Sequence, residues 1–144
     1  MKSHVYNDQY IAEFIASDGL EPHRATKGSA GYDFIAPKKI VVPAHSTVQF
    51  GSGVKVNMRN GYVLMLYIRS SLGLKHGLSL PNSVAVIDSD YHDEIHAAIR
   101  NSSDYPYMIE KGERYMQGVF TKYYLADEDE PTGTRSGGVG STGK

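Results

Sequence analysis

The chain has 144 residues, 40% of them hydrophobic and 22% charged, a size that fits one domain with a single core. Its formal net charge of -1 excludes a broadly basic surface, so non-specific nucleic-acid binding is not expected. Cysteine is absent, which excludes disulfides, thiolate metal sites and cysteine nucleophiles and is typical of a reducing compartment. There is no cleavage signal and no bilayer-spanning apolar run, and we expect a soluble, cytoplasmic protein.

Short β-branched and aromatic runs broken by turn residues predict an all-β sandwich or barrel over residues 1–125. In chain order, the candidate strands are residues 11–16, 47–50, 54–58, 62–68, 83–87, 95–100 and 116–124. The pair Asn60-Gly61 favours a type I′ turn, which predicts a hairpin of strands 54–58 and 62–68. The second arm of this hairpin is apolar on both faces, which indicates a central buried strand. Helical periodicity is confined to SLGLKHGL after Arg69.

Residues 126–144 differ from the rest of the chain, because an acidic segment is followed by one rich in Gly, Ser and Thr. This composition cannot bury enough surface to offset the entropy of ordering, and we expect a mobile C-terminal arm. Gly138 to Lys144 fits the phosphate-binding pattern G-x-x-x-x-G-K, but neither flank supplies the strand and helix of a P-loop. The glycines, with Arg135, Ser141 and Thr142, still suit wrapping around an anion, and the alternative is an inert terminus.

Two further stretches combine glycine, charge and hydroxyl groups. In GSAGYDF, Asp33 stands at a strand start and is either a turn residue or a functional carboxylate. In IRSSLG, Arg69 is followed by Ser70 and Ser71 where a buried strand ends. An arginine beside serine N–H groups suits a phosphate, and the alternative is an ion pair at the strand end.

The stretch PNSVAVIDSDYHDEI is the richest in candidate chemistry. Asp88 follows an apolar run, a setting that can position a general base, whereas Asp90 and Asp93 fit turn residues. KGERYMQG fits a turn entering a strand, where Glu113 and Arg114 are either part of a functional site or no more than a surface pair. The six histidines lack metal-ligand spacing, and a zinc site is not expected.

Five stretches of the chain resemble, in order, the five motifs of the trimeric deoxyuridine triphosphate nucleotidohydrolases, or dUTPases. They are LEPHRATKGSAGYDFIA, IRSSLG, LPNSVAVIDSDYHDEI, KGERYMQGVFTKYYLAD and RSGGVGSTGK. The resemblance implies a distorted jelly-roll-type β-barrel of the dUTPase-like β-clip kind, with a flexible C-terminal arm. It also implies a homotrimer with shared active sites, in which the arm of residues 126–144 closes over a neighbouring subunit's site. The implied reaction is hydrolysis of dUTP to dUMP and pyrophosphate, which limits uracil in DNA and supplies dUMP for thymidylate synthesis.

The resemblance also implies roles for single residues. Asp88 would orient the water that attacks the α-phosphorus, and Tyr91 would lie under the deoxyribose and exclude a ribose. Asn82 would read the uracil edge. Asp33 would act through metal-bound water on a Mg²⁺ ion held mainly by the triphosphate. The implied phosphate-binding residues are Arg69, Ser70, Ser71, Gln117, Arg135, Gly140, Ser141 and Thr142.

The sequence departs from the dUTPase pattern at four positions. Val139 stands where an aromatic residue usually stacks on the uracil, and it would cover the base without a π surface. Arg135 lies one residue nearer the paired glycines than in the commonest form of the motif. Ala85 replaces a usual glycine, and Asp93 stands where glycine is common.

Two other functions stay open at this point. The dCTP deaminase branch shares the implied fold and an R-S-S stretch but requires a Glu-centred site, and VIDSDY favours the phosphatase branch. The other alternative is a dUTPase-like regulatory module of viral or phage type, in which nucleotide-dependent ordering of the arm controls a protein partner. The products formed from dUTP, dCTP and dTTP distinguish the three.

Overall fold

The computed structural model describes residues 9–135, which form β-strands and one short helix. This confirms the prediction of an all-β domain. The elements are β1 (Ala12–Ala16), β2 (Tyr32–Ile35), β3 (Ile40–Val42), β4 (Thr47–Gly51), β5 (Val54–Met58), β6 (Tyr62–Ile68), α1 (Ser70–His76), β7 (Leu78–Ser79), β8 (Ala85–Ile87), β9 (His96–Asn101), β10 (Tyr107–Ile109) and β11 (Arg114–Lys122).

The strands of the described chain form four antiparallel sheets. The largest has the order β2-β11-β6-β8, and a second has the order β4-β9-β7. Two smaller sheets pair β1 with β5 and β3 with β10. Because β6 lies between β11 and β8, the prediction of a central strand at residues 62–68 is confirmed.

The predicted hairpin of β5 and β6 is wrong, although both strands have the expected bounds. β5 pairs with β1, whereas β6 pairs with β11 and β8. Gly61 has a φ of 93°, but Asn60 is not among the described residues with positive φ, and a type I′ turn requires positive φ at both. The backbone on either side of the turn bonds to different partners, since Arg59 N donates to Ile11 O and Tyr123 N donates to Gly61 O. Turn chemistry therefore located the chain reversal but not the strand pairing.

The core is built from the inward faces of these sheets, and Leu64 and Leu66 of β6 are fully buried in it. An aromatic cluster joins the β1–β5 sheet to the largest sheet. The rings of Phe14 and Phe120 have centroids 5.6 Å apart, and those of Phe14 and Tyr32 are 5.3 Å apart. Burial of such rings supplies much of the stabilisation of a small domain.

A β-bulge interrupts β11 near its start. Arg114 lies opposite Ile35 and Met116 lies opposite Phe34, so Tyr115 is the extra residue of the bulge. Tyr115 and Met116 are therefore both buried although they are consecutive in the strand. The bulge changes the face to which the preceding residue, Arg114, belongs.

The helix α1 follows Arg69 directly and ends at Gly77. Gly77 has a left-handed φ of 66° and its N–H donates to Leu72 O, a common way to end a helix. In the described part of the chain, no helix is long and apolar enough to cross a membrane. Beyond β11, residues 123–135 form no helix or strand. The division into a domain of residues 1–125 and an arm stays a prediction.

Candidate functional site

A cavity of about 320 Å³ lies beside β8 and β9, and we call it the Asp88 cavity. Four predicted site residues line it: Asn82, Asp88, Tyr91 and Arg135. Its remaining lining residues are Gln49, Leu80, Ala85, Val86, Ile87, His96, Ala97, Ala98 and Met116. An apolar floor with a few convergent polar groups is typical of a small-molecule site.

The end of β8 positions both Asp88 and Tyr91. Asp88 follows the last strand residue, and Tyr91 N donates to Asp88 O, which closes a tight turn. The Tyr91 hydroxyl donates to Glu94 O at 2.7 Å, and burial raises the pKa of this hydroxyl. Tyr91 therefore stays neutral with its hydroxyl satisfied, and it offers the cavity a ring rather than a hydrogen-bonding group.

Arg135 binds both carboxylates at the mouth of the cavity. Its Nη2 lies 2.6 Å from Asp88 Oδ2, and its Nε lies 2.8 Å from Asp90 Oδ1. Its guanidinium carbon is 5.8 Å from the centroid of the Tyr91 ring. The hydrogen bond to Asp90 and the charges of both carboxylates raise the pKa of Arg135, which remains a cation. The carboxylate that is predicted to be the base is therefore bound by an arginine of its own chain.

A second depression, of about 540 Å³, contains five more of the predicted site residues, and we call it the Asp33 depression. Asp33, Arg69, Ser70, Ser71 and Gln117 line it. Its remaining lining residues are Ala25, Ser29, Ala30, Gly31, Arg114 and Val119. Two arginines with adjacent hydroxyl groups suit an anion such as a phosphate.

Strand register explains why these residues meet. Asp33 of β2 lies opposite Gln117 of β11, and Arg69 follows the neighbouring strand β6. A Cβ atom at Gly31 would lie 2.4 Å from Gln117 Oε1, so the absence of a side chain at Gly31 allows Gln117 to lie there.

Arg114 is a site residue that the sequence interpretation missed. It does not pair with Glu113; its Nη1 lies 3.4 Å from Asp33 Oδ2. Glu113 instead accepts hydrogen bonds from the Tyr107 hydroxyl and from Glu110 N, both at 2.9 Å. Of the two alternatives for this stretch, the Glu113–Arg114 surface pair is therefore wrong. The signal that could have revealed it is the consecutive apolar pair Tyr115-Met116, which breaks the alternation of β11.

The donor set at Asp33 consists of one carboxylate with neighbouring hydroxyl and amide groups. Within residues 9–135, no group of three or more His, Asp or Glu side chains could hold a metal ion. One carboxylate beside hydroxyl and amide groups nonetheless fits Mg²⁺, which takes few protein ligands and completes its octahedron with water and substrate phosphates.

Within residues 9–135, no residue lines both the Asp88 cavity and the Asp33 depression. The predicted site residues therefore form two groups in one chain rather than a single pocket. Asp93 is exposed and lines neither site. The predicted arm residues Val139, Gly140, Ser141 and Thr142 lie outside the described residues.

Comparisons with known proteins identify the family to which the chain belongs. A family model described as dUTPase matches residues 19–143. A curated relative, the deoxyuridine 5'-triphosphate nucleotidohydrolase of Lactococcus lactis subsp. lactis, is 42% identical over 130 residues, which are 85% of this chain and 87% of the relative.

Solved structures give the same result for the fold. The crystal structure of dUTPase from Streptococcus mutans is 39% identical, with a TM-score of 0.73 over 81% of this chain and 98% of that chain. A Staphylococcus bacteriophage 80alpha dUTPase with dUpNHpp has the same TM-score of 0.73 at 23% identity, over 87% of this chain and 98% of that chain. These similarities confirm the predicted jelly-roll-type β-clip fold.

Proposed function

Because the chain belongs to the dUTPase family, we propose that it hydrolyses dUTP to dUMP and pyrophosphate. The observation that carries the proposal is the Asp88 cavity, which brings together Asn82, Asp88 and Tyr91. Asn82 supplies an amide that pairs with uracil, Asp88 a carboxylate that binds the attacking water, and Tyr91 a ring that packs against the sugar. In a cell this reaction limits uracil in DNA and supplies dUMP for thymidylate synthesis.

Asp88 acts as the general base in this proposal. Its side chain is 54% exposed, so water reaches its carboxylate. Asp88 takes a proton from a water molecule as the water oxygen bonds to the α-phosphorus. The bond from that phosphorus to the bridging oxygen breaks, and pyrophosphate leaves with the electron pair. A positioned base typically accelerates such a step by about 10²–10⁴-fold.

Arg135 has to leave Asp88 before the base can act. The guanidinium binds Asp88 and Asp90 closely when no nucleotide is present. The charged oxygens of a triphosphate can bind the planar guanidinium of Arg135 in the same way, and they compete with the two carboxylates. We propose that Arg135 transfers to the γ-phosphate, and that the arm residues Gly140, Ser141 and Thr142 bind the phosphate chain with it, while Val139 covers the uracil.

Tyr91 and Asn82 select the nucleoside. The hydrogen bond from the Tyr91 hydroxyl to Glu94 O fixes the ring, so a ribose 2′-hydroxyl pressed against it would have no partner. Leaving such a polar group unpaired costs about 1–3 kcal/mol. The Asn82 amide and the neighbouring backbone pair with the uracil edge and leave the cytosine donors and acceptors mismatched.

We propose a homotrimer with shared sites because one chain divides the required groups between two places. The Asp88 cavity lacks the arginine and serine residues of the Asp33 depression, and the depression lacks the base-reading residues. A triphosphate nucleotide needs both sets at once, so different copies of the chain supply them. Asp33 would hold Mg²⁺ through a water molecule, and the ion would supply positive charge to the triphosphate.

Product analysis tests the reaction. Pure protein is incubated with dUTP, UTP, dCTP and dTTP in isotopically labelled water, and we expect turnover of dUTP with the label in dUMP. Label in pyrophosphate would contradict attack at the α-phosphorus, and ammonia from dCTP would identify a deaminase. Binding of dUTP without turnover would favour the regulatory module. Mass measurement should give three chains per particle, and excess chelator should slow hydrolysis.

A further inference from the structure

We propose that Asn60 is a positioning residue, whose side chain holds the turn that carries Asp88 and Tyr91. This inference rests on the proposed function. The sequence pattern singles out Asn60 only as half of an Asn-Gly hairpin turn, and β5 and β6 do not form that hairpin. Its side chain instead bonds the catalytic turn, since Asn60 Oδ1 accepts a hydrogen bond from Ser89 Oγ at 3.1 Å.

The turn that carries Asp88 needs support from outside itself. Residues 88–95 form no helix or strand. A backbone hydrogen bond of 3.1 Å from Tyr91 N to Asp88 O closes the turn, but it does not attach the turn to the rest of the domain. The Asp88 side chain is 54% exposed, so packing does little to fix it. A catalytic group must be held to within about 0.5 Å, which requires supporting hydrogen bonds.

The far end of this segment is attached to the residues at the start of β5. Gly53 N donates to Glu94 Oε2 at 2.8 Å, and Ile95 N donates to Val54 O at 2.8 Å. These bonds lie six and seven residues after Asp88 in the chain. They therefore leave the end of the segment that carries the base to be held by other contacts.

Arg135 cannot be the lasting support of that end. It bonds Asp88 and Asp90 in the free protein, but in the proposed reaction it leaves them for the phosphates. The bond between Ser89 and Asn60 does not involve the Asp88 carboxylate, so it persists while Asp88 takes a proton. Because Ser89 follows Asp88 directly in the chain, a shift of Ser89 would also move the base.

The backbone around Asn60 is itself firmly held. Arg59 N donates to Ile11 O at 2.8 Å, and Tyr123 N donates to Gly61 O at 3.0 Å. The chain is therefore bonded to other segments on both sides of Asn60. Asn60 is not among the described residues that line the Asp88 cavity, so it acts on the reaction through the turn.

The test compares Asn60→Ala with Ser89→Ala, which removes the other half of the bond, and with Ser89→Thr, which keeps the hydroxyl. The control is Ser46→Ala, because Ser46 Oγ donates to Ala44 O at 3.1 Å but Ser46 is not among the described residues that line either site. Single-turnover hydrolysis of dUTP, binding of a non-hydrolysable dUTP analogue and thermal unfolding are measured for each variant.

The expected result is a loss of rate without a loss of affinity. Asn60→Ala and Ser89→Ala should each slow single turnover by about 5- to 30-fold, less than the roughly 10²-fold that a misplacement of about 1 Å can cost. Analogue binding should stay within about twofold of wild type, because the contacts to the nucleotide are kept. Ser89→Thr and Ser46→Ala should hydrolyse dUTP within about twofold of the wild-type rate.

The double variant Asn60→Ala/Ser89→Ala identifies the hydrogen bond as the cause. Two residues that act through one bond give non-additive losses, so the double variant should be no slower than the slower single variant. Multiplied losses would overturn the inference, and so would single variants within about twofold of wild type. A rate as low in Ser89→Thr as in Ser89→Ala would also overturn it. So would a loss of analogue binding and unfolding temperature that accounts for the fall in rate.

Hydrogen exchange follows the turn without any substrate. The Tyr91 N–H bonds Asp88 O, and in Asn60→Ala it should exchange faster by about 2- to 10-fold, the range of one lost hydrogen bond. The N–H of the buried Ile99 in β9 should exchange as in wild type. Unchanged exchange at Tyr91 would overturn the inference. Wild-type protein that does not hydrolyse dUTP would overturn the proposed function together with this inference, whereas an active wild type with unaffected variants would overturn this inference alone.

Discussion

The Asp88 cavity and the Asp33 depression each pair a carboxylate with an arginine, but the two arginines are held in different ways. Arg135 follows β11 in a segment without helix or strand and bonds Asp88 at 2.6 Å. Arg114 is the first residue of β11 and is fixed by the strand ladder and its bulge, yet its contact with Asp33 is 3.4 Å long. Arg135 therefore contacts its carboxylate closely, but its backbone lies outside any helix or strand. Arg114 has its backbone held in a strand, but its side chain contacts its carboxylate only loosely.

This contrast predicts separate kinetic effects. Changes in the Asp88 cavity should act mainly on the chemical step or on nucleoside choice, because the water and the sugar are handled there. Changes in the Asp33 depression should act mainly on affinity for the triphosphate.

The largest expected effect is that of Asp88→Asn. The amide keeps the shape of the side chain but cannot take a proton, so turnover should fall by about 10²–10⁴-fold. Single-turnover kinetics measures the fall, and analogue binding should persist. The matched control is Asp90→Asn, which removes the other partner of Arg135 and should change turnover by less than about fivefold, since exposed pairs contribute little. Near-normal turnover of Asp88→Asn would mean that another group is the base.

The next effect concerns Tyr91. Tyr91→Ala removes the ring under the sugar. The preference for dUTP over UTP should then fall by about tenfold, because the ribose hydroxyl no longer lies unpaired against the ring at a cost of about 1–3 kcal/mol. Tyr91→Phe keeps the ring and loses only the hydrogen bond to Glu94 O, so its preference should be normal and its stability lower by about 1 kcal/mol. Ratios of kcat/KM for the two nucleotides decide the question, and equal ratios in both variants would contradict the role of the ring.

A smaller effect is expected from Gly31→Ala in the Asp33 depression. The new Cβ would meet Gln117 Oε1 at 2.4 Å, and the flexible end of Gln117 should move away. Weakening, rather than complete loss, of one hydrogen bond to phosphate should raise KM by about 2- to 10-fold with little change in kcat. A fall in kcat with constant KM would contradict the division between the two regions.

The smallest effect is a pH dependence of the folding stability, which arises from the contact between Tyr107 and Glu113. Burial, together with the hydrogen bond to Glu113, raises the pKa of Tyr107 from 10.0 to about 12. A raised pKa stabilises the folded state below the unfolded value, and this stabilisation is lost as the pH rises through the folded value. The stability difference between wild type and Tyr107→Phe should therefore be constant below pH 10 and shrink between pH 10 and pH 12. Chemical denaturation across this range checks it, and a constant difference would refute it.

Local sequence patterns predicted much of the fold. β5 and β6 have the predicted bounds, because their apolar runs end at clear turn residues. The pairing of these strands was mispredicted, since it depends on residues far away in the chain. β3 and β10 were missed because three residues are too few to display a period of two.

The same distinction applies to the candidate site. Asp88 was singled out by its place after an apolar run, and Asn82 and Tyr91 by the resemblance of the same stretch to a dUTPase motif. The structure brings all three to one cavity. Arg114 was missed because its position depends on a β-bulge. The bulge changes which side of the sheet a side chain lies on, and no turn residue in the sequence indicates it. The separation of the site residues into two groups also follows from tertiary structure alone.

The split between β5 and β6 also affects how the chain folds. β6 cannot complete its hydrogen-bond ladder until β11 is available, and β11 ends at Lys122, near the end of the described chain. Pairing across such sequence distances is slow, and β-domains of this kind fold in about milliseconds to seconds. At a synthesis rate of about 5–20 residues per second, β6 leaves the ribosome several seconds before its partner. During that interval a strand that is apolar on both faces has an open edge, which is a site for mispairing and aggregation with other chains.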